Sequence, residues 1–288
     1  MKGHKKFLAL SHAFLIFGSI LCIAPFWLLV TASLSEESYA VKNGYSFIPK
    51  KWSLSAYQFL LQKWQIFGRG YLVTIAVTVI GVLLCLVITM MLAYMLSRPK
   101  LPCGKLFNFI IIFTMLFNGG IVSTYIMYSQ VFHIKNTLWA LIIPNLLTNA
   151  FFIIMVKNYF SSNIPEELVE AARIDGTSEF GIFLRIVMPL SKPIIATLAL
   201  LVGVNYWNDW QNAMYYVDDQ KLYSIQSILN AINTSTQYLM QGSGGGSSLP
   251  NETARMAAAV IGALPIIIAY PFFQEYFVRG ITAGAVKG

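Results

Sequence analysis

Long apolar runs recur along the whole chain, separated by short polar segments. Several runs reach the roughly 20 residues that a helix needs to cross the hydrocarbon layer of a membrane. The pattern predicts six membrane-spanning helices, at about residues 11–32, 71–96, 106–131, 137–156, 193–213 and 254–276. The sequence therefore predicts an all-α polytopic membrane protein that forms a single transmembrane domain over residues 1–288.

Composition agrees with a membrane protein. The 288 residues are 57% apolar and only 11% charged, and the mean hydropathy is +0.63. The net charge of +8 does not indicate nucleic acid, because the basic residues are scattered through the short segments between the apolar runs. Cys22, Cys85 and Cys103 offer neither a disulfide framework nor a metal spacing, so all three are interpreted as structural.

The basic residues predict the orientation of the chain in the membrane. They precede the first predicted span, fill the turn after the second and lie between the fourth and fifth, which places these segments in the cytoplasm. Both termini are then cytoplasmic, and the outer segments are 33–70, a turn near Lys135, and 214–253. Segment 33–70 is also basic, although longer loops carry less information about orientation.

The chain carries no visible energy source for transport. His12 and Asp209 lie near the ends of their predicted spans and form no relay of ionisable groups. The Gly-x-x-x-x-Gly-Lys-Ser/Thr loop that cradles nucleotide phosphates is missing, and the glycines at 242–246 are not followed by a lysine and a helix. The sequence thus predicts no catalysis and no bound cofactor, and indicates either a passive pore or a subunit driven by a soluble partner.

The predicted cytoplasmic loop 161–192 is patterned as two short helices joined by a sharp turn. Pro165 suits the first helical position, Gly176 suits a left-handed residue that ends the helix, and Ser178 suits the cap of a second helix that ends near Pro189. The first helix has a small apolar face. That face either seats in a groove of another protein or lies against the membrane or the helix bundle.

The loop also has a distinctive spacing: Glu170-Ala171-Ala172, Gly176 after three residues, and then Ile186 and Pro189. This spacing resembles the EAA signature of the permease subunits of binding-protein-dependent ABC importers. It departs mildly from that signature at Thr177 and Met188.

Further segments resemble the sugar-transporting, maltose-type branch of the same family, so that the resemblance covers nearly the whole chain. They are Pro25-Phe26-Trp27, Trp52-Ser53-Leu54, Phe117-Asn118-Gly119-Gly120, Trp207-Asn208-Asp209-Trp210 and the ending 278–288.

The resemblance implies the type I ABC importer permease fold in a bacterial inner membrane. It implies a second, similar permease chain in a heterodimer, two cytoplasmic ATPases that bind ATP and Mg, and an extracytoplasmic solute-binding protein. The loop would dock into a cleft on the ATPase, with Glu170 paired to a basic residue there. The residues implied in this coupling are Glu170, Ala171, Ala172, Asp175, Gly176, Ser178, Ile186 and Pro189.

The resemblance implies an oligosaccharide as substrate, and sugar sites combine aromatic faces with amides and carboxylates. Aromatic residues near a span end also form interfacial belts, and asparagines inside a bundle also hydrogen-bond between helices. Asn118-Gly119-Gly120 either breaks the third span or ends it. The candidate pathway residues are Asn118, Asn145, Asn149, Asn205, Trp207, Asn208 and Asp209.

The outer segment 214–253 either reaches into the binding protein through its glycines or is a passive surface loop. The candidate contacts are Gly242, Gly244, Gly245 and Gly246. The leading hypothesis is therefore the permease subunit of an ATP-driven oligosaccharide importer. The alternatives are an importer permease for another solute and, from a different class, a passive channel or self-sufficient carrier.

Overall fold

The structure, a computed structural model, describes residues 2–99, 101–241 and 252–285. Over these ranges the chain is helical, and its one β pairing is an isolated bridge between Ser35 and Trp52. The predicted all-α class is confirmed.

The described ranges contain three long helices and a series of shorter ones. In chain order they are α1 (Lys2–Ser33), α2 (Glu37–Asn43), α3 (Ser55–Gln62), α4 (Trp64–Ser97), α5 (Gly104–Leu116), α6 (Gly120–Ile126), α7 (Trp139–Ile142), α8 (Ala150–Asn163), α9 (Glu166–Ile174), α10 (Glu179–Ile182), α11 (Met188–Leu190), α12 (Lys192–Asn208), α13 (Gln211–Tyr216), α14 (Ile225–Gln241) and α15 (Glu252–Ala285). Single turns of π-helix follow α6 and α10, at Met127–Val131 and Phe183–Val187.

Three of these helices are long and apolar enough to cross a membrane, over Leu10–Ser33, Trp64–Ser97 and Glu252–Phe272. Two helix pairs pass the same test but are sharply bent, by 112° between α5 and α6 and by 82° between α10–α11 and α12. Among the described residues this gives three spans, or five if each bent pair is one span. The predicted count of six is not reproduced.

The fourth predicted span, 137–156, is wrong as a continuous helix. α7 ends at Ile142 and α8 begins at Ala150. Pro144 has no N–H to donate to a helix, and Asn145 has a φ of 60°, in the left-handed region that interrupts a right-handed helix. These two adjacent residues separate the helices.

The third and fifth predicted spans also differ from the structure. α5 ends at Leu116, Phe117 is extended, and α6 begins at Gly120, whose φ is 79°. Helix α5 thus stops where the sequence predicted either a break in the third span or its end. The fifth span was predicted to 213, but α12 ends at Asn208 because Asp209 is extended.

The outer segment 214–253 was predicted to be irregular, and this is wrong for 225–241, which form α14. The glycines 242, 244, 245 and 246 lie outside the described residues.

The chain forms two compact units, Met1–Arg69 with Ile228–Pro265 and Gly70–Ser227 with Ile266–Gly288. In the first unit, the carboxylate of Glu37 accepts hydrogen bonds from the backbone N–H groups of Glu252 (3.1 Å) and Thr253 (2.9 Å). An acidic group at this position stabilises the start of α15, where helical N–H groups lack intrahelical partners.

The second unit contains a continuous apolar core to which α4, α8, α9 and α12 contribute. A close contact joins α4 to α12 at Gly81. A Cβ atom on Gly81 would lie 2.5 Å from the ring of Tyr206. The hydroxyl of buried Tyr206 donates to the carbonyl of Ile142 at 2.9 Å. The ring is attached to α12 at one end and hydrogen-bonded to Ile142 at the other, so it has little freedom to move away from Gly81.

We expect Gly81→Ala to destabilise the protein, because the added methyl group overlaps a ring that is already fixed. Overpacking of this kind costs about 1–3 kcal/mol. Thermal unfolding of the detergent-purified protein measures the loss as a lower midpoint.

Gly203→Ala is the matched control, since its Cβ would meet nothing closer than Val82 Cγ2 at 3.8 Å. This change on α12 should leave the midpoint unchanged or raise it. Equal midpoints for the two variants would contradict the close approach of α4 and α12.

Candidate functional site in a two-helix loop and a polar cavity

The loop that follows α8 begins with an extended proline. Pro165 (φ −61°, ψ 132°) precedes the first residue of α9 rather than occupying it, one position away from the sequence prediction. Glu166 and Glu167 fill the first turn, where the helix dipole favours acidic groups. Val169 is fully buried and fixes the inner face of α9.

The turn between α9 and α10 has the predicted geometry. Gly176 has a φ of 79° and its N–H donates to the carbonyl of Arg173 at 3.1 Å, which closes the end of α9. Ser178 then caps α10, since its hydroxyl oxygen accepts the N–H of Gly181 at 3.2 Å. Left-handed backbone favours glycine, and serine is a preferred N-cap. The order of helix, sharp turn and helix therefore follows from the conformational preferences of Gly176 and Ser178.

The outward face of the loop is apolar at several positions. Ile174 is 86% exposed and Leu168 is 42% exposed on α9, and Phe180 and Leu184 are exposed beyond the turn. The loop therefore presents apolar side chains away from the core of its own unit.

The predicted coupling residues divide between this surface and the core beneath it. Ala172 and Ile186 are half-buried and pack against the core. The exposed members are Glu170, Ala171, Asp175, Gly176, Ser178 and Pro189.

One ion pair spans the turn. Arg173 donates from Nε to Glu179 Oε1 at 2.8 Å, and its Nη2 lies 2.7 Å from the same oxygen. The hydrogen bond to Glu179 raises the pKa of Arg173 above its usual value, so the guanidinium stays charged. The pair links the end of α9 to the first residue of α10.

A polar cavity of about 250 Å³ lies in the second unit. Its lining brings together three helix breaks that are far apart in sequence. The lining residues are Asn118, Gly120, Ile121, Thr124, Asn145, Leu146, Asp209, Gln211, Asn212, Tyr215 and Tyr216.

Side chains at the breaks bind the backbone that the breaks expose. Asn118 Oδ1 accepts the N–H of Gly120 at 2.9 Å. Asp209 Oδ1 accepts the N–H groups of Gln211 at 3.2 Å and Asn212 at 3.3 Å, which starts α13. These contacts fix the side chains of Asn118 and Asp209 at the cavity.

Of the seven predicted pathway residues, Asn118, Asn145 and Asp209 line this cavity. Asn149 instead caps α8 by accepting the N–H of Phe151 at 2.9 Å.

The remaining three pathway candidates lie elsewhere in the unit. Trp207 is buried with its ring centroid 6.3 Å from that of Tyr71. Asn205 is exposed, and the exposed Asn208 accepts a hydrogen bond from Gln226 Nε2 at 3.4 Å.

The candidate set left out Gln211, Asn212 and Tyr215, which also line the cavity. Their positions depend on α12 ending at Asn208 and α13 beginning after it. The Asn-Asp-x-Gln-Asn run is the sequence signal that would have located this helix boundary, because Asp is a favoured N-terminal capping residue.

A second polar cluster lies at the turn near Lys135. Lys135 Nζ lies 2.9 Å from Asp218 Oδ2, and Asn136 Oδ1 accepts the N–H of Asp218 at 2.6 Å. The contact with Lys135 holds the pKa of Asp218 below its usual value. The cluster joins two turns next to Tyr216. In the described part of the chain, no group of three or more His, Cys, Asp or Glu side chains forms a metal site.

Comparison with known families decides the class of protein. Residues 85–283 match the family described as the inner membrane component of binding-protein-dependent transport systems. The chain belongs to this family. It is a transport subunit of the inner membrane, and its system includes an ATPase and a solute-binding protein.

Similar proteins cover almost the full length. The permease protein YtcP of a polygalacturonan/rhamnogalacturonan transport system from Bacillus subtilis (strain 168) is 36% identical, over 99% of both chains. The melibiose/raffinose/stachyose import permease MelC of the same organism is 29% identical, over 92% of this chain and 91% of its own.

A solved structure also superimposes well. It is a chain from the crystal structure of a bacterial ABC transporter involved in the import of the acidic polysaccharide alginate. The TM-score is 0.80 and the identity 29%, with 96% of this chain and 98% of that chain covered. The predicted type I permease fold is confirmed.

The left-handed backbone at Gly176 generates a sharp prediction. Gly176→Asn should keep most transport, because asparagine tolerates this conformation. Gly176→Val should lower ATP-dependent uptake by about tenfold, since a β-branched residue is a strained outlier there. No heavy atom lies within 4 Å of the added Cβ, so backbone conformation alone separates the two variants.

Uptake by the assembled transporter in vesicles measures both changes. Equal loss of uptake in the two variants would show that the turn does not depend on a left-handed residue.

Proposed function

We propose that this chain is one of two permease subunits of an ATP-driven importer that carries an oligosaccharide across the bacterial inner membrane. The observation that carries the proposal is the loop of α9 and α10. It combines the EAA spacing, a left-handed glycine turn and an outward apolar face. Membership of a binding-protein-dependent transport family supports it.

The loop docks into a cleft on the cytoplasmic ATPase that binds ATP and Mg. Leu168 and Ile174 supply apolar contact area to the cleft, and Glu170 pairs with a basic residue of the ATPase. The small side chains of Ala171 and Ala172 allow close approach. When two ATPases close around ATP, the loops move with them, and the permease follows as rigid bodies.

The polar cavity is the part of the sugar pathway that this chain provides. Its lining combines amide, hydroxyl and carboxylate groups with the rings of Tyr215 and Tyr216. Aromatic faces beside hydrogen-bonding groups suit a pyranose ring and its hydroxyls. Among the described lining residues there is one carboxylate and no Lys or Arg, which favours sugar hydroxyls over sugar carboxylates at this point.

The full assembly contains a second, similar permease chain that provides the other half of the pathway. Both termini of this chain lie in the cytoplasm, as the distribution of basic residues supports. An extracytoplasmic protein delivers the sugar, and the outer glycines Gly242, Gly244, Gly245 and Gly246 contact that protein. The relatives named for polygalacturonan/rhamnogalacturonan transport and for melibiose/raffinose/stachyose import support a carbohydrate substrate.

Uptake of labelled oligosaccharides into vesicles that contain the whole assembly tests the coupling loop. We expect Glu170→Lys and Gly176→Pro to abolish ATP-dependent uptake while the permease remains in the membrane. Reversing the charge removes the pairing with the ATPase, and a proline cannot adopt a positive φ. Unaltered uptake, or uptake by this chain without the ATPase, would favour a passive channel or self-sufficient carrier instead.

Variants of the cavity test the sugar pathway separately. We expect Asp209→Asn and Gln211→Ala to lower the rate of sugar uptake, since each changes a group that lines the cavity. Losing one hydrogen bond to a charged or polar group costs about 0.5–3 kcal/mol, which is roughly a twofold to hundredfold change.

Asn205→Ala is the control for these variants, because Asn205 is an exposed amide of α12 that does not line the cavity. Uptake of each labelled sugar as a function of its concentration gives the comparison. Loss of uptake in the Asn205 variant, with normal uptake in the other two, would place the pathway on a different face.

A further inference from the structure

Both helices of the coupling loop are attached to the end of α4. Tyr94, in the last turn of α4, donates its hydroxyl to Glu179 Oε2 at 2.8 Å, across 85 residues of sequence. Arg98, just beyond α4, donates from Nη1 to Glu166 Oε2 at 3.3 Å, across 68 residues. Glu166 is the first residue of α9 and Glu179 the first residue of α10. The end of α4 therefore holds the start of each loop helix.

Glu179 is the centre of this network. One carboxylate oxygen accepts from Tyr94, and the other accepts from Arg173 near the end of α9. A single side chain thus joins α4, α9 and α10. Because one oxygen accepts from α4 and the other from α9, the carboxylate constrains the angle between the two loop helices as well as their distance from α4.

Tyr94 and Arg98 are themselves held firmly. The side chain of Arg98 is 13% exposed, and its guanidinium carbon lies 4.5 Å from the ring centroid of Tyr94. The ring of Tyr94 packs on Phe183 with centroids 5.3 Å apart. Cation–π and Coulomb attractions are stronger at a partly desolvated site such as this one than between fully exposed groups.

The guanidinium also retains binding capacity. Within the described residues, the buried Nε of Arg98 has no hydrogen-bond partner. A buried donor without a partner carries a free-energy penalty. Glu179 lies close enough to Arg98 for their charges to interact. The Nε–H of Arg98 is therefore available to donate to the Glu179 carboxylate if that side chain shifts.

The turn at Gly176 explains why such attachment is needed. Nothing lies within 4 Å of the position of a Cβ on Gly176, so no neighbouring side chain limits the backbone on this side of the glycine. Glycine also has the widest conformational freedom of any residue. Without other constraints, a force applied to α9 would bend the chain at Gly176 instead of moving the helices beyond it.

We propose that Tyr94 and Arg98 are positioning residues that clamp α9 and α10 to the end of α4, so that a displacement of the loop reaches this span as one rigid movement. The inference rests on the proposed docking of the loop to the ATPase. The clamp determines how much transport results from each ATP hydrolysed.

The test compares ATP hydrolysis and sugar uptake in the same vesicles, with the complete transporter. Tyr94→Phe removes the hydroxyl and keeps the ring that stacks on Phe183 and under Arg98. Glu179→Gln keeps the shape and removes the charge. We expect each variant to retain ATP hydrolysis stimulated by the binding protein. Sugar transported per ATP hydrolysed should fall on the order of tenfold, since Tyr94→Phe removes the hydrogen bond to the carboxylate and Glu179→Gln removes the charge that strengthens it.

Tyr159→Phe is the matched control. It makes the same chemical change in a half-buried tyrosine of α8 that packs against the same core, outside the network. This variant should transport as much sugar per ATP as the native protein. The double variant Tyr94→Phe with Glu179→Gln should be no worse than Glu179→Gln alone, because both changes act on the same contact between residues 94 and 179.

Two results would overturn the clamp. One is an unchanged transport-to-hydrolysis ratio in Tyr94→Phe. The other is a parallel loss of hydrolysis, uptake and assembled complex, which indicates a purely structural contact. Failure of the docking proposal itself looks different, since Glu170→Lys would then leave uptake and hydrolysis both intact.

Discussion

The second unit depends on one constraint: the backbone N–H and C=O groups left without partners where its helices are interrupted must find hydrogen bonds elsewhere in the protein. In a hydrocarbon layer, a helix break exposes N–H and C=O groups that have no water to bind, so irregular backbone is tolerated only where protein groups or a cavity satisfy it. At the break after α5, Asn118 satisfies the backbone of its own segment, whereas the breaks after α7 and α12 satisfy each other. Asn212, at the break after α12, donates to the carbonyl of Pro144 at the break after α7, at 3.0 Å. The polar cavity is the place where these breaks meet.

This arrangement explains why the cavity is polar in an otherwise apolar protein. Asn118 and Asp209 are fixed by the backbone groups that they cap, so their positions are set before any substrate arrives. Pre-positioned polar groups bind a ligand at a lower entropic cost than mobile ones. The same side chains thus serve the fold and offer recognition chemistry.

The sequence predicted local features well and tertiary features poorly. The turn at Gly176 and the cap at Ser178 depend on conformational preferences of single residues, and both follow from the sequence alone. The end of α7 before Pro144 was missed because the surrounding run is apolar enough to resemble one span. Helix α14 was missed because the polar composition of 225–241 suggested an irregular loop. The pairing of Tyr94 with Glu179 spans 85 residues, and no local pattern reports such a contact.

The loop and the cavity are connected by a short physical path. α12 begins at Lys192, directly after the loop, and ends at Asn208, next to Asp209 in the cavity lining. Its 17 residues form a rod of about 25 Å at the usual rise per residue.

Close to its cavity end, Tyr206 of α12 packs against Gly81 in the middle of α4. The C-terminal end of α4 carries Tyr94, and Arg98 follows directly after it. The loop therefore connects to this packed pair of helices twice, through the chain at Lys192 and through side chains at the end of α4. Because tightly packed helices shift together more readily than they deform, a movement of the loop has a rigid route to the residues that line the cavity.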